Sequence, residues 1–148
     1  MLEMIDGGLS VDDRGQVTFV NKFDFKNVKR FYMVENHEVG FVRAWHGHMK
    51  ESKYVFVPQG SALIGAVKIP KNELVNLEAV DNSLVEKFVL SSNKPQVLYI
   101  PSGYANGFMT LKENTKVMFF STSTLEDSLN DDIRFDWDRW DIWNIERR

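Results

Sequence analysis

Two short stretches concentrate the side chains that could move protons. The first reads Gly40-Phe41-Val42-Arg43-Ala44-Trp45-His46-Gly47-His48 and runs on through Lys53 to Gly60. Imidazole titrates near neutral pH, so a His-x-His pair is a candidate general base. Alternation with period two puts His46 and His48 on one face of a strand. Facing inward they could serve a site; facing outward they would be ordinary surface residues. The second stretch reads Pro101-Ser102-Gly103-Tyr104-Ala105-Asn106-Gly107. The chain has no cysteine, which excludes disulfides, Cys-zinc sites and thiol nucleophiles.

The elements that must hold these residues read as strands. Apolar, β-branched and aromatic runs recur at 16–20, 30–35, 40–48, 53–57, 61–69, 85–90, 96–100, 105–111 and 115–121. Turn chemistry separates them, as in Asp13-Arg14-Gly15, Pro58-Gln59-Gly60 and Asn93-Lys94-Pro95. The one helical candidate is 124–130, with Thr124 as cap and Asp127 completing the capping pattern. Residues 74–82 read as a loop or a ragged edge hairpin. Many short strands with Gly/Pro turns predict an all-β sandwich or closed barrel. The 148 residues fit one domain over 1–148.

Composition narrows the partners. The formal net charge of −3 argues against broad nucleic-acid binding but leaves room for a local basic cluster on a small anion. No stretch is apolar enough to span a bilayer, so no membrane partner is expected. Residues 1–9 carry acids and glycines where a signal peptide would carry a basic run and an apolar core. A cytoplasmic location is the expectation.

The spacing from Gly40 to His48, with Gly60 beyond, resembles the first cupin motif. Residues 101–107 resemble the second, with Asn106 in place of its histidine. The motif's glutamate position holds Ser52 or Lys53. Glu51 is one residue early, and on a strand it would point the other way. The cupin frame implies a single jelly-roll barrel of antiparallel strands. Its four metal-ligand positions have become His46, His48, Lys53 and Asn106. An ammonium repels a divalent cation and an amide replaces imidazole poorly, so neither metal nor cofactor is expected.

A narrower resemblance covers most of the chain. Asn36-His37 followed by Arg43-Ala44-Trp45-His46, the Lys53 that opens the next strand, Leu90-Ser91, the run from Gln96 to Phe108, and Ile133-Arg134-Phe135-Asp136 with Trp143 beyond are similar to the dTDP-4-dehydrorhamnose 3,5-epimerases, in the same order. His46-Gly47-His48 also resembles the His-Ala-His of the dTDP-sugar 3,4-ketoisomerases, a sister branch. The resemblance implies an isomerase acting on a nucleotide-diphosphate 4-keto-6-deoxy sugar. It would remove a proton next to the ketone, as an epimerase at C3 and/or C5. A 3,4-ketoisomerase and a non-catalytic sugar-nucleotide-binding cupin are the alternatives.

The resemblance also implies roles. His46 is the base, with Asp138 or Asp136 fixing its tautomer. Lys53 or His48 stabilises the enolate oxygen. Arg43 holds the diphosphate, with Arg134, Asn36, Tyr104 and Asn106 as further substrate contacts. Where the epimerases carry a tyrosine pair, this chain has Thr124-Leu125, so Tyr32 and Tyr104 are the candidates for the missing acid. Arg43 and His46 are three apart, and an ideal strand would separate them unless it bulges near Ala44-Trp45.

Other residues have plainer readings. Trp45, Trp137, Trp140 and Trp143 are chiefly packing, with one of them a candidate for stacking at the barrel mouth. Residue His37 belongs to a surface loop. Glu126, Asp127, Asp131 and Asp132 read as a solvated turn. Residues 9–25 look too detached to build a core alone. They are expected to add to a partner's sheet in a homodimer.

Overall fold

The computed structural model describes residues 1–69 and 81–148, so most of the 74–82 segment lies outside the described residues. The strands are β1 (Glu3–Asp6), β2 (Gly8–Asp12), β3 (Gly15–Phe19), β4 (Arg30–Glu35), β5 (Val42–His48), β6 (Lys53–Gln59), β7 (Ser61–Lys68), β8 (Glu86–Ser91), β9 (Gln96–Ile100), β10 (Tyr104–Thr110), β11 (Lys116–Ser121) and β12 (Ile133–Arg134). Among the described residues one α-helix, α1 (Leu125–Leu129), lies between β11 and β12, and a single 3-10 turn covers Asn82–Leu84. Thr124 caps it by accepting from the Asp127 N–H, as the sequence pattern indicated. The nine strand-like runs of the sequence became β3 to β11. The strands β1, β2 and β12 were not legible, because they are short and carry acids, glycine or arginine.

Two five-stranded antiparallel sheets face each other, in the orders β1-β9-β6-β11-β4 and β12-β5-β10-β7-β8. This is the all-β cupin barrel. Its interior is filled by Val55, Val57, Ile64, Leu90, Leu98, Ile100, Phe108, Val117 and Phe119, among others. Each such burial contributes roughly 1.5–3 kcal/mol. A second core lies on the other face of the second sheet. There Trp45, Leu63, Val67 and Met109 are covered by Trp140, Ile142 and Trp143 of the tail. Strand β7 is therefore buried on both faces, which explains its unbroken apolar run. Gly65 makes room for this packing: a Cβ there would stand 2.7 Å from the Trp45 ring and 2.6 Å from Ile142.

The hairpin β2–β3 forms a two-stranded sheet of its own. Its strands are exposed along nearly their whole length, and Val11 and Val17 face solvent.

Candidate active site

Strand β5 supplies the first wall of the site, and its register explains how. Asn106 of β10 pairs with His46, whereas Phe108, two residues on, pairs with Arg43, three residues back. The extra residue on β5 is a bulge. Ala44 and Trp45 both turn to the outer core, and Arg43 and His46 both turn inward. The bend sits where the sequence argument required it. The Ala44–Trp45 peptide is cis. Trp45 is fully buried, and its backbone exchanges two 3.1 Å hydrogen bonds with Phe135.

The inward side chains of both sheets meet in a cavity of about 230 Å³. Its polar wall holds Arg30, Tyr32, Arg43, His46, His48, Lys53, Asn106, Asp132 and Arg134, and α1 closes one side with Ser128 and Leu129. Lys53 opens β6 and lies 7% exposed, over the rings of Tyr32 and Phe119 at 6.0 and 5.8 Å. Arg30 also lies over the Tyr32 ring, 5.0 Å from its centre. Asn106 is buried, and its amide donates to the His46 carbonyl at 3.4 Å.

Glu51 is inside, contrary to the sequence argument. Alternation does not govern it, because β6 begins only at Lys53 and residues 49–52 form a turn outside any strand. The Asp131 carboxylate fixes that turn by accepting from the Met49, Lys50 and Glu51 N–H groups at 2.8, 2.9 and 3.0 Å. Glu51 then reaches His48 Nε2 at 3.2 Å, Arg30 at 3.2 Å and Ser128 Oγ at 3.0 Å. It also accepts a short hydrogen bond from Ser121 Oγ. His48 Nδ1 donates to the Asp131 carbonyl. By contrast, the ring nitrogens of His46 have no hydrogen-bond partner among the described residues.

Burial sets the proton affinities of the site. It pulls the His46 imidazole below its ordinary value, aided by Lys53 and Arg134 and opposed by Asp132. It pulls the Lys53 ammonium down as well, against Glu51 and Asp132. It pushes the Tyr32 phenol up to about 12, reinforced by Glu51 and opposed by Arg30. A half-buried imidazole kept neutral, beside cations that can meet developing negative charge, suits proton abstraction followed by enolate stabilisation.

The structure does not bring every expected residue to the cavity. Asp136 and Asp138 are exposed and form no part of its wall. The backbone pairing of Phe135 with Trp45 commits the chain to the outer face before Asp136 is reached. The carboxylate that shares the cavity with His46 is instead Asp132, which is exposed, as the solvated-turn reading expected, and still lines the cavity mouth. It bridges to Arg134 at 2.9 Å. Asn36 stands behind Arg43, accepting from its Nε at 2.6 Å, and does not line the cavity. Tyr104 packs against the end of the interior core. His37 is exposed, as is Trp137, whereas Trp45, Trp140 and Trp143 are packing residues. The role of Asp131 had no sequence signal, since it depends on a contact across eighty positions.

The model of the family described as dTDP-4-dehydrorhamnose 3,5-epimerase matches residues 11–145. The chain belongs to that family. Membership makes it an isomerase of the dTDP-sugar class. A relative of this family member is the spore coat polysaccharide biosynthesis protein SpsL of Bacillus subtilis (strain 168), 26% identical over 113 residues, or 74% of this chain and 71% of SpsL. The fold is shared with the dTDP-4-dehydrorhamnose 3,5-epimerase of Bacillus anthracis, solved with TDP and PPi bound. That match has a TM-score of 0.77 at 21% identity over 99% of this chain and 86% of the other. It is also shared with QdtA, a sugar 3,4-ketoisomerase from Thermoanaerobacterium thermosaccharolyticum in complex with TDP. There the TM-score is 0.67 at 18% identity, over 96% and 93% of the two chains.

Proposed function

We propose that the chain abstracts the proton next to the ketone of a dTDP-linked 4-keto-6-deoxy sugar without a metal, inverting C3 and/or C5. The observation that carries this reading is the His46 imidazole, whose ring nitrogens have no hydrogen-bond partner among the described residues, in a cavity that it shares with Arg30, Arg43, Lys53 and Arg134. His46 is the base, and the Asp132 carboxylate acts on it through space, raising its proton affinity against the surrounding cations. Lys53 faces the enolate oxygen. Arg43 and Arg134 take the diphosphate, with Asn36 holding Arg43. The cavity is smaller than the ~300–1,000 Å³ usual for whole ligands. The reading therefore puts the sugar and its phosphate inside and the nucleoside at the mouth.

A second reading, the 3,4-ketoisomerase, is favoured by one observation. Thr124 and Leu125 are exposed at the start of α1, and Tyr32 is the one phenol on the described cavity wall. Among the described residues, the positions of the epimerases' tyrosine pair therefore offer no acid to the cavity. NMR of dTDP-4-keto-6-deoxyglucose incubated with the protein in deuterated water separates the readings. Deuterium at C5, or at C3 with an inverted product, supports the epimerase. A 3-keto product supports the ketoisomerase. The absence of both exchange and any new product excludes both. Turnover should survive a chelator, because Lys53 and Asn106 stand where a metal would need ligands.

The working form is proposed to be a cytoplasmic homodimer. The support for the dimer is the exposed apolar residues Val11 and Val17 of β2–β3 together with Phe31 and Met33, which are exposed on the edge strand β4.

A further inference from the structure

Taking the isomerase reading above as given, we infer that Arg30 is a contact for the substrate's sugar, at the hydroxyl beside the ketone, and that the buried Glu51 is the positioning residue that holds it there. The cations of the cavity divide between the two sheets. Arg43 and Arg134 come from β5 and β12 of the second sheet, which also carries His46. Arg30 and Lys53 come from β4 and β6 of the first sheet. Strand β11 lies between them, and its Ser121 pairs with Arg30 on one side and with Lys53 on the other. The two cations therefore stand in one cross-strand row, and both lie over the Tyr32 ring, at 5.0 and 6.0 Å. With the diphosphate on Arg43 and Arg134, a sugar beside His46 turns its other side to that row. Lys53 meets the oxygen at C4. In a 4-keto-6-deoxy sugar C5 carries a methyl group, so the one hydroxyl flanking the ketone is on C3. Arg30 is the donor next to Lys53 that can reach it.

The guanidinium is already set for this role. Its Nε donates to the Ser123 carbonyl at 3.2 Å, and its Nη2 donates to Glu51 Oε1 at 3.2 Å. Nη1 has no hydrogen-bond partner among the described residues, and the side chain is 23% exposed where it lines the cavity. Two of the three nitrogens thus fix the plane of the fork, and the third is left for a ligand oxygen. Glu51 is itself held firmly. Its side chain has no exposed surface, and it accepts from Ser121 Oγ and, at 3.0 Å, from Ser128 Oγ. The Asp131 carboxylate folds the 49–51 turn that delivers it. A buried ion pair contributes little net stability over apolar packing. On a cavity wall it instead decides where a donor stands, and a donor fixed beforehand loses little freedom when the ligand arrives.

Calorimetric titration of the full-length protein with dTDP and with dTDP-glucose separates sugar contacts from nucleotide contacts. The second ligand carries the C3 hydroxyl and has no ketone, so it binds without turning over. R30A should raise the Kd for dTDP-glucose roughly tenfold or more, as for a lost charge-assisted hydrogen bond, and change the Kd for dTDP less than about twofold. An equal loss for both ligands makes Arg30 a phosphate contact and overturns the inference, and so does an unchanged affinity for dTDP-glucose. E51Q should show the same selective loss at smaller size, whereas a merely structural role would weaken both ligands together. E51D, which withdraws the carboxylate by one methylene, replaces E51Q if that variant does not fold. In an R30A background either change should add less than about twofold, since a residue acting through Arg30 cannot act when it is gone. A full additional loss there, or an equal loss of both ligands in the single variant, overturns the positioning role. Deuterium exchange into dTDP-4-keto-6-deoxyglucose is measured beside the titrations. If the wild-type protein neither exchanges a proton nor forms a product, the isomerase reading falls, and the two titrations still decide whether Arg30 meets the sugar.

Discussion

Arg43 and His46 lie three residues apart on β5 and face the same cavity, because the bulge between them turns both Ala44 and Trp45 to the outer core. One extra residue thereby brings the candidate phosphate ligand and the candidate base to one side of the strand. The bulge is held from both directions. Trp45 is locked into the outer core, donating through its indole N–H to the Trp137 carbonyl at 3.2 Å. Across the ladder, Gly107 leaves the space that Ala44 occupies.

Gly107→Ala should therefore disturb the site without touching any polar group in it. A Cβ at this position would stand 2.4 Å from the Ala44 Cβ and 3.1 Å from the Arg43 carbonyl. The neighbour is backbone and a short side chain, so it cannot swing aside. Overpacking of this kind costs about 1–3 kcal/mol. The urea midpoint of the variant should fall accordingly, and its affinity for dTDP should drop because Arg43 moves with Ala44. An unchanged midpoint would mean that β5 is not pinned by this contact.

Arg43→Ala should weaken binding before it slows chemistry. A hydrogen bond to a charged group contributes about 1.5–3 kcal/mol, which corresponds to roughly a ten- to hundredfold rise in Kd for dTDP. Asn36→Ala should give a smaller loss of the same kind, because it frees the Arg43 side chain that Asn36 holds at 2.6 Å. Calorimetric titration with dTDP measures both. Equal affinities across wild type and both variants would remove Arg43 from the binding role.

The sequence carried the barrel and most of the cavity wall. Period-two strands between turn residues gave β3 to β11, and the His-x-His spacing put His46 and His48 on one face, which the structure turns inward. The need for a bulge was legible too, since Arg43 and His46 had to share a side. What stayed hidden depends on chain outside the strands. Glu51 was placed outward because a strand rule was applied to a turn. Asp131 and Asp132 looked like part of a solvated acidic run, although one organises the turn at 49–51 and the other lines the cavity that holds His46. Asp136 and Asp138 were chosen from the tail by counted position. Only the pairing of Phe135 with Trp45 shows that the tail has already turned outward there.

Val17→Asp should shift the oligomeric state if the hairpin seats on a partner. Val17 is 63% exposed on β3, on a two-stranded sheet with little apolar cover of its own. A charge placed there would have to be desolvated on association, which disfavours the contact. Light scattering should report a dimer for the wild-type protein at micromolar concentration and a monomer for the variant. A wild-type monomer would contradict the dimer outright.

His46→Asn should abolish solvent exchange at the carbon next to the ketone and leave dTDP binding largely intact. Asparagine keeps hydrogen-bonding capacity but cannot take a proton near neutral pH, and loss of a general base costs about 100- to 10,000-fold. The pH dependence follows from the direction of the His46 shift. Burial, Lys53 and Arg134 lower its proton affinity, so the neutral, base-competent ring persists below its ordinary value of about 6.5. The acid limb of kcat/KM should therefore lie below pH 6.5. Lys53→Met should move that limb upward by removing one of the cations that lower it, besides slowing the reaction. Stability should follow the same sign. The unfolded chain binds the proton first, so the contribution of His46 to folding is complete above its ordinary value and is lost as pH falls through the lower folded value. Asp132→Asn should act oppositely to Lys53→Met, since Asp132 is the group that raises His46. If the limb stays in place in both variants while turnover persists, the base of the reaction is a group other than His46.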